Sequence, residues 1–407
     1  MSRRSPALTG PAPAPHPRVA VIPRYQPGRT AEATMADHGL TSAVKLASNE
    51  SPFGPLPGVL EAVAAATGDS GRYPDHLAET LRATLAARHD VEADQVAVGC
   101  GSVGMLQQLL LSYAGPGHEV LFPWPSFIAY PQFSLLAGAT VVEAPLTAWA
   151  TDVDALLAAV TPRTAMVLLA NPNNPTSTAL RTAGLTRLVE ALPATVLLVV
   201  DEAYREYVTD PDVPDALDHF GDRANVVVLR TFSKAWALAG LRVGYLVGDP
   251  SVANAVDATL TPFSVSAPAQ AAALAALEQH EEVARRAAVV VAERERVSGE
   301  LAGRGLPVPD SQGNFVWLPT GPASGALAEA MEHRGVVTRP FPSGIRVTMG
   351  LGEDNDRFLA ALADALADVP DAAAAWSDDA GAATSAAVGT TAVAGASPAT
   401  ADGSRPR

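Results

Sequence analysis

A regular alternation constrains this chain more than any other feature. Seven apolar runs of strand length (Val96–Gly99, Val120–Phe122, Thr140–Glu143, Ala165–Leu169, Val196–Val200, Val226–Leu229 and Val243–Val247) are separated mostly by helical patterns such as Met105–Tyr113, Val153–Val160 and Thr182–Leu192. Continuous apolar runs mark strands buried on both faces, and helices between strands supply the crossovers that parallel pairing needs. The fold class is therefore α/β: a seven-stranded, mostly parallel sheet covered by helices. Ligands of such sheets bind at the C-terminal ends of the strands, so those ends are where chemistry is sought.

Five strand ends carry unusual residues. The run Val226–Leu229 leads into Thr231-Phe232-Ser233-Lys234, with Arg242 just before the next apolar run. An ammonium at the end of a buried strand is costly to desolvate. It can become an imine with an aldehyde cofactor, with Ser233 and Arg242 holding a phosphate dianion. It can equally be a surface lysine held by a nearby carboxylate. Gly99-Cys100-Gly101-Ser102-Val103-Gly104 opens a helix and offers backbone N–H groups to an anion, or is a packing turn. Ala170-Asn171-Pro172-Asn173-Asn174-Pro175-Thr176 is a stiff, polar loop with fixed amides, or a plain turn. Asp201 closes an apolar run and needs a partner, which a pyridinium N–H would satisfy, or is a strand-end aspartate capping a helix; Tyr204 follows it and can hydrogen-bond the ring's phenolic oxygen. Phe127, after the second run, stacks on a planar ring or simply packs in the core.

In this order, the five motifs resemble the fold-type-I pyridoxal-phosphate aminotransferases, from about Val21 to Ala367. The resemblance implies pyridoxal 5'-phosphate as cofactor, with Lys234 as the lysine that carries it and shuttles the proton. It assigns Asp201 to the ring nitrogen, Asn174 and Tyr204 to the ring oxygen, and Ser102, Val103, Ser233 and Arg242 to the phosphate. Tyr73, in Arg72-Tyr73-Pro74, matches a tyrosine that reaches the neighbouring subunit's phosphate, which implies a homodimer. Arg346, in Ile345-Arg346-Val347-Thr348, matches the arginine that clamps the substrate's anionic head. Tyr25, Asn49 and Arg339 match pocket positions, and Arg24 and Arg339 are candidates for a second substrate carboxylate. No metal is called for. The segments Ala47-Ser48-Asn49-Glu50 and Leu238-Ala239-Gly240-Leu241-Arg242 are similar to the histidinol-phosphate aminotransferase group. Two departures stand out: Gly-Ser-Val-Gly, where that group usually has acidic residues after the serine, and Ser177, where it usually has glycine. With Asn314-Phe315-Val316-Trp317-Leu318-Pro319, these look like the actinobacterial aromatic amino-acid (phenylalanine) branch. The expected reaction is amino transfer from an aromatic L-amino acid to 2-oxoglutarate. Histidinol phosphate is the alternative donor, and a lyase or decarboxylase on the same fold is a third reading.

The expected organisation is an N-terminal tail (1–20) without order, an arm (21–44), a large cofactor-binding domain (45–265), a smaller α+β domain (266–370) and a tail (371–407) without order. Ala267–Leu301 reads as one long helix. A net charge of −15, from 28 basic and 43 acidic residues, argues against nucleic acid and anionic membrane as partners. No apolar run approaches the ~20 residues that span a bilayer. One cysteine, Cys100, allows no internal disulfide and points to a reducing cytoplasm.

Overall fold

The computed structural model describes residues 14–22 and 28–379. Its centre is an eight-stranded sheet: β1 (Val96–Gly99), β2 (Glu119–Trp124), β3 (Thr140–Thr147), β4 (Ala150–Thr151), β5 (Thr164–Ala170), β6 (Leu197–Asp201), β7 (Val226–Thr231) and β8 (Gly244–Val247), in spatial order β1-β8-β7-β6-β5-β2-β3-β4. All seven expected strands are present. The eighth, β4, is a two-residue edge strand folded back antiparallel on β3, too short to leave an apolar run in the sequence.

Pairing is parallel from β3 through β2, β5 and β6 to β7. β8 runs antiparallel to both neighbours, β7 and β1. The connection from β7 to β8 holds one 3-10 turn, Ala239–Leu241, and no crossover helix, so the chain must return antiparallel. This reversal brings Lys234 and Arg242, at the two ends of the connection, to one end of the sheet. β6 and β7 are buried along their whole length. Each buried Val or Leu there contributes about 1.5–3 kcal/mol, which makes the strand ends a stiff platform.

The smaller unit holds β9 (Phe315–Leu318), β10 (Arg339–Phe341) and β11 (Gly344–Thr348), antiparallel in the order β9-β11-β10. Val44–Lys45 pairs parallel with Val336–Val337, and the Thr348 N–H donates to Leu46 O at 2.9 Å. These bonds deliver Ala47–Asn49 alongside β11.

Three expectations are corrected. Ala267–Leu301 is two helices, Ala267–Leu277 and His280–Gly303. The first packs an alanine face, with Ala272, Ala273 and Ala276 fully buried, against helix Val59–Thr67. The second turns a stripe including Val283, Ala287, Val290, Val297 and Leu301 inward and packs on Arg205–Tyr207, strand β9 and helix Gly352–Asp368. One straight helix could not serve both faces. The tail expected to lack order from Asp371 begins with helix Pro370–Asp379, because Trp376 is fully buried and its Nε1–H donates to Pro307 O at 2.7 Å. The arm contains a helix, Ala31–His38, whose N-cap Thr30 accepts from the Ala33 N–H. Pro17–Ala20 forms a single helical turn. Arg24 and Tyr25 lie outside the described residues. Among the described residues no helix is long and apolar enough to cross a membrane.

Candidate active site

The strand ends converge on one pocket. Ser102, Val103, Phe127, Asn174, Asp201, Tyr204, Ser233, Lys234 and Arg242 line it from the large sheet, and Asn49, Arg339 and Arg346 close it from the other side. Of the residues singled out from sequence, Tyr73 is the described one left out. The residue is 81% exposed, and its ring stacks on Phe263 with centroids 4.5 Å apart.

Lys234 leaves the end of β7 and is partly buried, with Nζ 3.3 Å from Ser48 O and 5.7 Å from the centre of the Tyr204 ring. Burial lowers its pKa to about 7, and the Arg346 and Arg242 charges push the same way. An amine tuned so close to neutrality is a nucleophile and a base rather than a fixed cation.

Two consecutive carboxylates at the end of β6 have opposite surroundings. Glu202 is satisfied inside the protein: Arg230 Nη2 and Nε donate to its Oε2 at 2.5 and 3.0 Å, and the Ala216 N–H donates to Oε1. Asp201, one residue earlier, faces the pocket and accepts from the Ala203 N–H at 3.1 Å. Burial raises the Asp201 pKa to about 7, opposed by that hydrogen bond and by the Lys234 charge. A strand alternates its faces, so the paired carboxylate points away while the other is presented to whatever fills the site.

A third cluster is basic and rich in N–H groups. Gly101, at φ 76°, starts helix Gly101–Tyr113, whose first turn carries Ser102 and Val103. Arg242 Nη1 donates to Ser233 Oγ at 3.2 Å and to Ala239 O at 2.9 Å. Among the described residues no carboxylate lies within ion-pair distance of Arg242. A Cβ on Gly101 would sit 2.7 Å from Arg242 Nη2, and one on Gly244 would collide with the Ser102 nitrogen. Both positions must therefore be glycine for the helix end and the guanidinium to close around one point. Backbone N–H groups, a hydroxyl and a guanidinium make a dianion cradle.

The fourth group crosses between the two units. Arg346 Nη1 donates to Asn174 Oδ1 at 2.7 Å, and Nη2 donates to Ala47 O at 2.5 Å. Asn49 is fully buried; its Nδ2 donates to the Tyr204 hydroxyl at 3.0 Å, and its Oδ1 accepts from Thr348 Oγ1 at 2.9 Å. Strand β11 thus orders both amides that border the pocket. Sequence reading missed Phe341, which lines the pocket beside Arg339. The signal was present: residues two apart on a strand share a face.

The chain belongs to the class I and II aminotransferases, whose family model matches residues 41–362. An aromatic amino acid aminotransferase from Thermobifida fusca is 52% identical over 339 residues, covering 83% of this chain and 93% of that protein. A protein of the same name from Mycobacterium tuberculosis (strain ATCC 25177 / H37Ra) is 47% identical over 347 residues, covering 84% of this chain and 96% of its own. Among solved structures, histidinol-phosphate aminotransferase from Sinorhizobium meliloti in complex with pyridoxal-5'-phosphate superposes with a TM-score of 0.79 at 30% identity, covering 87% of this chain and 97% of that one.

Proposed function

We propose that the protein binds pyridoxal 5'-phosphate in this pocket and transfers the amino group of an aromatic L-amino acid to 2-oxoglutarate. The observation that carries the reading is the pairing of Lys234 with Asp201: an amine and a carboxylate, each driven to a pKa of about 7, facing one space. The residues fit the cofactor at every polar point. The Gly101–Val103 helix end, Ser233 and Arg242 suit its phosphate. Asp201 gains a cationic partner in the protonated ring nitrogen. Asn174 has its amide oxygen held by Arg346, so Nδ2 is the donor turned to the ring oxygen, and Tyr204, steadied by Asn49, is the second. Phe127 covers a ring face.

When bound, the cofactor would supply an electron sink for the charge left at the substrate Cα. This chain supplies the rest. Lys234 Nζ, an amine close to neutrality, would take up the proton released at the substrate Cα and hold it for return. Asp201 keeps the ring protonated. Arg346 holds the substrate carboxylate and so fixes the Cα–H relative to Lys234.

The aromatic assignment draws on the two relatives of that name and on the pocket wall. Phe341, Phe127 and Ile128 give an apolar surface. Apart from Lys234, Arg242 and Arg346, Arg339 is the one cation among the described lining residues. It can receive the second carboxylate of 2-oxoglutarate, whereas a phosphate dianion calls for a denser set of donors. Phenylalanine is expected to exceed histidinol phosphate in kcat/KM. A ratio of about 100-fold in favour of histidinol phosphate, equivalent to ~2.7 kcal/mol, reverses the assignment.

We also propose a homodimer in which Tyr73 serves the partner's phosphate site, since within one chain its exposed ring stays out of the pocket. Mixed Lys234→Ala and Tyr73→Ala subunits, each inactive alone, should regain activity through one intact hybrid site. A fully active monomer in sedimentation refutes this. A single, exposed cysteine suits the cytoplasm.

A further inference from the structure

Ser177, which stands where the resemblance leads one to expect glycine, has a φ of 65°, in the left-handed region that favours glycine. The residue is fully buried. A side chain kept in an unfavourable backbone conformation must be repaid by what it contacts. Its hydroxyl accepts from the Gly313 N–H at 2.9 Å and lies 2.7 Å from Ser311 Oγ. Ser311 Oγ donates its own proton to Phe315 O at 2.6 Å. A hydroxyl has one proton, so Ser177 must be the donor to Ser311. The result is a one-directional chain, Gly313 N–H to Ser177 to Ser311 to Phe315 O, in which every proton is used. The Ser177 carbonyl adds a fourth bond by accepting from the Gln312 N–H at 2.8 Å.

This chain joins the two halves of the substrate clamp. On one side, the Ser177 N–H bonds Asn173 O at 2.7 Å, which closes the loop that carries Asn174. On the other side, Phe315 begins β9, paired in register to β11, where Trp317 faces Arg346. The Phe315 ring touches both clamp and cofactor residues: Arg346 Cζ lies 5.7 Å from its centre, and the Tyr204 ring packs edge-on at 4.9 Å. The Asn174–Arg346 bond thus spans two segments that meet again at Ser177. The far side leaves no room for drift, because a Cβ on Gly313 would lie 2.9 Å from Ser177 Oγ.

We propose that Ser177 is a positioning residue that latches the Asn174 loop to the segment leading into β9 and so sets Arg346 for the substrate carboxylate; the inference rests on the reading of Arg346 as that clamp. A glycine here would relieve the backbone but leave the buried Gly313 N–H without its acceptor.

The test uses the holoenzyme and two variants that separate backbone from hydroxyl. Ser177→Gly frees the backbone and removes the hydroxyl; Ser177→Ala removes the hydroxyl alone. Both are expected to raise the KM of phenylalanine and of 2-oxoglutarate, and the calorimetric Kd of 3-phenylpropanoate, by roughly 10-fold, with kcat within about twofold. Amide hydrogen exchange should rise in residues 171–178 and 311–315 of either variant. Ser177→Gly combined with Ser311→Ala should weaken binding no further than Ser177→Gly does, since both break one chain. KM and Kd within about twofold of wild type in both variants, whatever the melting temperature does, overturn the latch. Arg346→Lys is measured alongside. A Kd weakened by Arg346→Lys but not by the Ser177 variants overturns the latch alone. A Kd unmoved by Arg346→Lys overturns the carboxylate reading itself, and with it the latch's role in substrate positioning.

Discussion

Lys234→Ala is expected to abolish transamination, with a loss of at least about 10⁴-fold, because on the proposed function a single substitution removes both the covalent tether and the proton carrier. The spectroscopic result should be equally plain: the visible absorption band that borohydride bleaches disappears, while cofactor held through its phosphate is still released on denaturation. The physical basis is the site Lys234 occupies. Burial and the cationic Arg346 and Arg242 bring its pKa to about 7. A substantial share is therefore uncharged at neutral pH, as a nucleophile must be. An ordinary surface lysine, charged up to a pKa of about 10.4, would lack that property. Lys234→Arg is the informative companion, since it keeps the charge and much of the length but cannot lose its proton, and it should be as inactive as alanine. Survival of the bleachable band in either variant removes Lys234 from this role.

How much of this was legible beforehand follows a physical division. The large sheet was legible because each strand is a continuous apolar run; only β4, with two residues at an edge, carries no such signal. The motifs at the strand ends stood out because they violate local expectation (a lysine after β7, an aspartate closing β6, paired asparagines between prolines), and the structure gathers Lys234, Asp201 and Asn174 around one pocket. Phe341 was harder, since an aromatic residue on a short strand reads first as core. The pairing of Asn49 with Tyr204 and Thr348 joins positions 155 and 299 residues apart, which no local pattern encodes. The tail helix failed for a related reason. Ala-, Ser- and Asp-rich sequence looks unstructured until the groove that buries Trp376 is known. The direction of the Asp201 and Glu202 side chains was half legible: alternation puts them on opposite faces, but only the buried Arg230 shows which face is already satisfied.

That contrast underlies the second large effect. Asp201→Asn is expected to retain cofactor and lose most turnover, on the order of 10³-fold, because a neutral amide cannot keep the ring nitrogen protonated. The same substitution should act in the opposite direction on the cofactor-free protein. Asp201 is buried, and its folded-state pKa is raised from 3.8 to about 7, chiefly by burial. A carboxyl group with a raised folded pKa contributes its stability below the unfolded value, near pH 4, and loses it as pH climbs through about 7. Above that, the apoprotein carries an ionised carboxylate at a cost on the order of 4 kcal/mol, which asparagine avoids. Apo Asp201→Asn should therefore melt several degrees above apo wild type at pH 8, with the gap closing toward pH 4. Cofactor should narrow the gap at pH 8, because on the proposed function the protonated ring would give wild-type Asp201 the ion pair it does not make among the described residues. A variant that keeps near-normal turnover contradicts the electron-sink role. An apo stability gap that does not change with pH contradicts the account of Asp201 as a carboxylate held in reserve for the ring.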